Sequence, residues 1–358
     1  GRTRLPPARR DAYPPAMVEP GPRSQVLDLV VAFRQTQCVR VAAELELADH
    51  LAAGARSATD LADATGSHEP SLRRLLRALV GLGLVERVPD GRYGLTSLGE
   101  ELTGGGLRGA ARMYGSDPVW SAWEGLEHAV RTGGRAFDHV HGTDMWGYNA
   151  SHPDDAKRFD AAMAALTGGS AEAIVSAYEF SRFRRVVDVG GGDGTLLAAI
   201  LRRAPDAHGV LVDVGHVVER ARRVLETAGV RHRAELHDGD FHRSVPSGGD
   251  CYVLKWILHD WDDAQASDIL RRCRAAAAMT ARLVVVERVV PEQVGTDDAE
   301  AVLADLNMMV LTGGRERTAA EFGELLAHGG WHLERIHPTA TGLGVIEAVP
   351  SEDSDTVL

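Results

Sequence analysis

FRRVVDVGGGDGTLLAAILRRAP, residues 183–205, decides the fold. Arg185–Val189 is a short β-branched run and predicts a strand. Gly190, Gly191, Gly192 and Gly194 follow as a turn, and Thr195–Arg203 starts a helix. Glycine opens φ values closed to other residues and lets a ligand come close to the backbone. Strand, glycine turn and helix together predict a nucleotide-type turn at the carboxyl end of a first strand. A dinucleotide fingerprint would read GxGxxG. Here the third glycine comes one residue early, as GxGxG, and Asp193 stands where a pyrophosphate would meet like charge. The loop is therefore expected to hold a cofactor without phosphates.

Outward from this turn, β-branched runs alternate with helical stretches from Arg185 to Val349, which predicts βαβ units and a mostly parallel sheet. The next strand, Gly209–Val214, carries Asp213 at its end, where an acid can bind both hydroxyls of a ribose. A third strand near Ala234–Leu236 leads into HDGDFH. Asp240 there can accept from an adenine amino group and Phe241 can cover the ring. Asp-Gly-Asp is also turn chemistry, but the order after Gly190 and Asp213 favours the ligand reading.

VLKWILHDWDD, residues 253–263, then reads as a fourth strand, Val253–Leu258, stopping at His259. Ligands of open α/β sheets bind beyond the carboxyl ends of strands. A histidine, with an ordinary pKa near 6.5, can take a proton there at neutral pH. Strand five, from Ala281, carries Glu287, and LTGGRERTAAEF, residues 311–322, carries Glu316 before a helix. Either carboxylate could orient the imidazole. Glu316 could instead pair with Arg315 or Arg317, or serve a helix N-terminus. Asp260, Asp262 and Asp263 are expected to face solvent at a helix start, and no set of acids and histidines reads as a metal site.

The first third of the chain differs. Residues 57–102 read as helix, turn, helix and a short hairpin around Pro89-Asp90-Gly91, the pattern of a winged helix. One use of that shape is DNA binding through Arg73, Arg74 and Arg77; the other is dimerisation. A formal net charge of -12 on 358 residues repels phosphate backbones and favours dimerisation. Between the two parts, residues 109–170 hold Trp120, Trp146, Phe159 and Met163 in helices expected to bridge them.

Hydrophobic residues make 44% and charged residues 25%, as in an ordinary globular protein. Cys38, Cys251 and Cys273 form neither a metal pattern nor a disulfide framework, and no apolar stretch reaches the roughly 20 residues of a membrane span. A cytoplasmic protein is expected. The expected division is a disordered tail over 1–22, a winged-helix-like domain over 23–108, bridging helices over 109–170, a cofactor-binding domain over 171–350 and an acidic tail over 351–358.

DVGGGDG, Asp213, GDF, LKWILHDW, Glu287 and GGRERT together resemble the metal-independent, class I S-adenosylmethionine-dependent O-methyltransferases of the caffeic acid type and their bacterial natural-product relatives. The resemblance covers nearly the whole chain. It implies a Rossmann-like domain with a mostly parallel seven-stranded sheet behind an N-terminal dimerisation domain. It assigns Asp188, Gly190 and Gly192 to S-adenosylmethionine, with Gly190 against the methionine part. Asp213 goes to the ribose, Asp240 and Phe241 to the adenine, and Lys255 nearby. His259 becomes the general base, with Glu287 and Glu316 flanking and orienting it. Trp120, Trp146, Phe159, Met163, Asn307 and Met308 become candidates for the acceptor pocket. The expected reaction is methylation of a phenolic small molecule by a homodimer, the Ala-, Arg- and Gly-rich composition pointing to a bacterial aromatic polyketide or similar metabolite. The alternatives are a hydroxylase of the same fold and a ligand-sensing regulator.

Overall fold

The structure, a computed structural model, describes residues 21–351. The expected tails therefore fall outside the described residues except for Gly21, Pro22 and Ser351. Pro22 opens a helix, Pro22–Val31.

The N-terminal part is helical and carries the expected wing. Helix Ala58–Thr65 begins in a capping box, Ser57 and Asp60 each bonding the other's backbone, and ends at Gly66 in the left-handed region. Helix Glu69–Gly81 buries Leu72, Leu76 and Leu79 on one face, the i, i+4, i+7 stripe of a surface helix. Strands β1 (Val85–Arg87) and β2 (Tyr93–Leu95) pair antiparallel behind it. Arg73, Arg74 and Arg77 lie on the exposed side of that helix.

The C-terminal part is a twisted sheet covered on both faces. Its strands are β3 (Arg185–Val189), β4 (His208–Asp213), β5 (Ala234–Asp238), β6 (Cys251–Lys255), β7 (Arg282–Val290), β8 (Arg317–Thr318), β9 (Trp331–Pro338) and β10 (Leu343–Pro350). The order runs β5-β4-β3-β6-β7-β10-β9. The first five of these are parallel neighbours, and β10 pairs antiparallel with β7 and β9. Val186, Val187, Val210, Leu211, Val253, Leu254, Val284 and Val285 are fully buried, as strands of a parallel sheet with helices on both sides must be.

Two expectations need correction. The sheet has eight strands, because the two-residue β8 adds beside β7 at Val289 and Val290. Arg317 pins it there: its guanidinium is 1% exposed and donates to Asp263, Leu258 O and Trp261 O. The apolar run Val253–Leu258 is not strand throughout. β6 stops at Lys255, Trp256 takes φ 54°, and Leu258–Asp260 forms a 3₁₀ turn. The Glu287 carboxylate explains the break. It accepts from the N–H groups of Ile257, Leu258 and His259 at 3.2, 2.6 and 3.2 Å, replacing ladder partners.

Between these parts, helices Asp117–Glu124, Leu126–Thr132, Ala136–His141, Met145–Ser151 and Pro153–Ala177 gather with helix Ala299–Leu311 around a separate core containing Phe137, Met145 and Val310.

Candidate active site

The carboxyl ends of β3, β4 and β6 open onto a cavity of about 1370 Å³ whose far wall is made by the bridging helices and helix Ala299–Leu311. Every residue assigned to cofactor or acceptor from sequence lies on its wall, as do His259 and Glu316. Glu287 does not. It is fully buried behind the wall, under the turn that carries His259.

At one end stands the glycine turn. Gly190, Gly192 and Gly194 have φ of 68°, 58° and 78°, values that favour glycine. A Cβ on Gly190 would run into Ile257 Cδ1. Asp213 accepts from the N–H of Gly192 at 2.9 Å and of Val214 at 2.7 Å, which fixes its carboxylate beside the turn. Asp240 accepts from the His242 N–H at 2.8 Å, so it serves the turn as well as facing the cavity with Phe241.

Two perturbed ionisable groups, Asp188 and Lys255, lie on this part of the wall. Asp188 is 1% exposed, and its Oδ2 has no partner among the described residues. Burial, helped by the negative charge of Asp213, pushes its pKa up to about 7. Burial pushes the Lys255 ammonium down to about 7, against the pull of Asp188, Asp193 and Glu287. Lys255 Nζ donates to Thr167 Oγ1 at 2.9 Å and lies 3.1 Å from the centre of the Trp256 ring. A wall residue whose carboxylate carries a buried oxygen without a partner, and a glycine backbone cleared of side chains, fit a ligand with a cationic group.

At the other end stands His259. Its Nδ1 donates to Glu316 Oε1 at 3.0 Å, and its Nε2 lies 3.9 Å from Asp260 Oδ1. Glu316 is moored in turn by its own N–H, which donates to Asp305 Oδ1 at 2.8 Å. Burial disfavours the imidazolium, but Asp260, Glu316 and Glu287 together outweigh it and raise the His259 pKa to about 9. Glu316 does not pair with Arg315 or Arg317, whose partners are Asp263 and Glu321.

Asp260 is another correction. It does not face solvent: its side chain is 16% exposed and lies on the cavity wall, its pKa pushed up to about 6 by burial against the pull of His259. The 3₁₀ turn after Lys255 rotates it inward. Asp262 does cap the following helix, accepting from the Gln265 N–H at 2.8 Å.

The rest of the wall is aromatic. Trp146 stands edge-on to Phe159 at 5.7 Å and stacks on Trp261 at 6.2 Å, and His242 meets Trp261 edge-on at 4.3 Å. Trp120, Met163 and Met308 line it too. Asn307 Oδ1 accepts from Trp123 Nε1 at 3.2 Å, a link between two elements far apart in sequence. Sequence reasoning assigned no role to Thr167 or Trp261, and placed Asp260 at a helix start rather than in the site. Among the described residues no group of three or more His, Cys, Asp or Glu side chains is placed to hold a metal ion, and no helix is long and apolar enough to cross a membrane.

Two family models match the chain, an O-methyltransferase domain over residues 123–332 and an O-methyltransferase dimerisation domain over residues 27–105. The chain is 41% identical over 330 residues to the phenazine O-methyltransferase PhzM of Lysobacter antibioticus, covering 91% of this chain and 96% of that protein. It also resembles the crystal structure of an O-methyltransferase from neocarzinostatin biosynthesis, in complex with S-adenosylmethionine and 2-hydroxy-5-methyl naphthoic acid. That match has a TM-score of 0.75 and 36% identity, covering 90% of this chain and 98% of that one. A third relative, the aclacinomycin 10-hydroxylase RdmB of Streptomyces purpurascens, is 37% identical over 301 residues, 82% of this chain and 80% of that protein.

Proposed function

The chain belongs to the O-methyltransferase family, and we propose that its acceptor is a phenolic hydroxyl on a multi-ring aromatic metabolite, with His259 as the general base. It is an S-adenosylmethionine-dependent O-methyltransferase. When bound, the cofactor supplies a methyl group on a positively charged sulfonium.

The protein's residues do the rest. Gly190 and Gly192 would take the cofactor along the backbone, Asp213 its ribose, and Asp240 and Phe241 its adenine. Asp188, buried with a free oxygen, would meet its cationic end. His259, with Nδ1 committed to Glu316, keeps Nε2 to receive the acceptor's proton. A phenol of pKa near 10 becomes a much stronger nucleophile once that proton leaves. Glu316, Asp260 and Glu287 favour the imidazolium that results. Trp146, Phe159, Trp261 and Met308 would hold the ring and exclude water, so positioning supplies much of the rate. Ligand pockets commonly run to about 1,000 Å³. A cavity of about 1370 Å³ leaves room for cofactor and a fused-ring acceptor together. The naphthoic acid held by the neocarzinostatin relative is of that size class.

The observation that carries this reading is the His259–Glu316 pair on the wall of the cavity that the glycine turn opens. The test is incubation with S-adenosylmethionine and a panel of phenolic aromatics, read by mass spectrometry, for the wild type and His259→Ala. Methylated product from the wild type alone supports the reading. A variant with undiminished methyl transfer overturns the role of His259 and leaves the methyl-transfer reaction standing. We further propose that the enzyme works in the cytoplasm as a homodimer. The dimerisation-domain match and an exposed apolar first helix support the dimer.

A further inference from the structure

Successive side chains of a strand point to opposite faces. On β7, Glu287 turns under the His259 loop, and Arg288 turns to the cavity wall. Arg288 makes a two-point pair with Glu300, Nη1 to Oε2 at 2.8 Å and Nη2 to Oε1 at 2.7 Å. The pair is lopsided, since the Arg288 side chain is 20% exposed and that of Glu300 80%. A carboxylate so exposed is well solvated without its partner and holds the guanidinium weakly.

Several observations put Arg288 at the acceptor end. Tyr114, also on the wall, feels the charges of Arg288, Glu300 and Glu316 together. Glu316, the partner of His259, is bonded to Asp305. Asp305 lies five residues from Glu300 on the same helix, roughly 8 Å along its axis. Glu300, Leu303, Ala304, Asn307 and Met308 present one face of that helix to the cavity. Among the described residues, the other two Lys or Arg side chains on the wall, Lys255 and Arg220, belong to β6 and to helix Gly215–Thr227 beside the glycine turn, and are engaged by Thr167 and Asp160.

We propose that Arg288 receives a carboxylate carried by the acceptor, which makes the substrate an aromatic hydroxy acid. This rests on the methyl-transfer reading above and narrows its acceptor. The planar guanidinium fork matches a carboxylate at two points. The substrate's carboxylate takes the place of Glu300, which swings into solvent, so no charge is left buried and unpaired. Arg288 adds a cation to an end of the cavity lined by Asp260 and Glu316, and so offsets the charge that an acidic acceptor brings.

The test compares matched probes, hydroxynaphthoic and hydroxybenzoic acids against their methyl esters, with S-adenosylmethionine and the full chain. KM and kcat are measured for the wild type, Arg288→Met and Glu300→Gln. A charge-assisted two-point contact predicts roughly a tenfold or larger KM advantage for the acid in the wild type. Arg288→Met erases most of that advantage. Glu300→Gln, a change at an exposed site that leaves folding intact, frees Arg288 and lowers the acid's KM. A strut between β7 and the helix would move acid and ester alike. Equal KM for acid and ester in the wild type, or equal losses in Arg288→Met, overturns the assignment. Transfer to neutral phenols alone overturns it while leaving methyl transfer intact. Transfer to none of the probes overturns both.

Discussion

Glu316 and His259 are bonded side chain to side chain, Oε1 to Nδ1 at 3.0 Å, across 57 positions of sequence. Glu287, the other carboxylate near the histidine, bonds only the backbone of its turn through Oε1. The two acids therefore do different work: one sets the imidazole's tautomer, the other builds the loop that presents it.

That division gives a mutational contrast. His259→Ala is expected to lower kcat by roughly a hundredfold to ten-thousandfold, the range for a positioned base, while S-adenosylhomocysteine still binds. Glu316→Gln keeps a hydrogen-bond acceptor and is expected to lower kcat less. Glu287→Gln removes the charge of an acceptor shared by three backbone donors and is expected to lower thermal stability along with activity. Calorimetric binding, kcat and melting temperature, measured on the same three variants, separate these outcomes. Equal melting losses in all three would contradict the division.

The pH dependence follows from the raised His259 pKa. A base works in its neutral form, so kcat/KM is expected to rise with pH up to about 9, the value for the free enzyme. A bound sulfonium opposes the imidazolium, so the limb in kcat should lie lower. In His259→Ala the limb should move toward the phenol's own pKa near 10. For stability the sign is opposite. The folded pKa lies above the unfolded value of 6.5, so the stabilisation is full below about pH 6.5 and is lost as pH rises toward 9. Melting curves from pH 6 to 9.5 should fall less steeply in the variant.

Asp188 gives a proton-linked prediction. Its pKa of about 7 means that the free enzyme carries it partly protonated at neutral pH. A cationic ligand should ionise it and release a proton. Calorimetry of S-adenosylmethionine binding at pH 7 in buffers of different ionisation enthalpy should show that release. Asp188→Asn should abolish it and weaken binding about tenfold or more. Unchanged proton release in Asp188→Asn would move the linkage to Lys255.

Much of this site was legible in the sequence because its parts are local. The glycine turn, Asp213 and Asp240–Phe241 each follow a strand whose β-branched run marks it, and parallel order brings the strand ends together. His259 was legible for the same reason, although its strand stops at Lys255 and a 3₁₀ turn carries it the rest of the way. The misread residue, Asp260, lies in that turn, whose cause is a carboxylate from another strand. Thr167 beneath Lys255, and Trp123 against Asn307, left no local signal, since each contact joins a bridging helix to the catalytic sheet or its covering helix. The strand β8 is two residues long, and its Arg317 is held by Asp263 and three carbonyls.

Gly190→Ala tests the cradle. A Cβ there would strike Ile257 Cδ1, and φ of 68° strains any L side chain. Left-handed strain alone costs about 1–2 kcal/mol. The variant is expected to melt lower and to lose S-adenosylhomocysteine binding. Ile257→Val in the same chain should recover part of the melting loss, because it removes the struck methyl, and not the strain. No recovery would place the whole cost in the backbone.

The first helix tests assembly. Helix Pro22–Val31 buries none of its own residues against the described chain, yet Leu29 is 78% and Val30 66% exposed, with Val26, Leu27 and Phe33 exposed beside them. Contiguous apolar surface of this kind marks a contact with another molecule, and the dimerisation-domain match begins at residue 27. Light scattering at micromolar concentration is expected to give the mass of two chains. Leu29→Glu with Val30→Glu would set charges against an apolar partner surface and is expected to shift the mass toward one chain, with the melting curve of the catalytic part preserved. A wild type that runs as a single chain would contradict the dimer. A double variant that stays dimeric would put the contact elsewhere on the N-terminal domain, the exposed face of helix Glu69–Gly81 being the next surface to change.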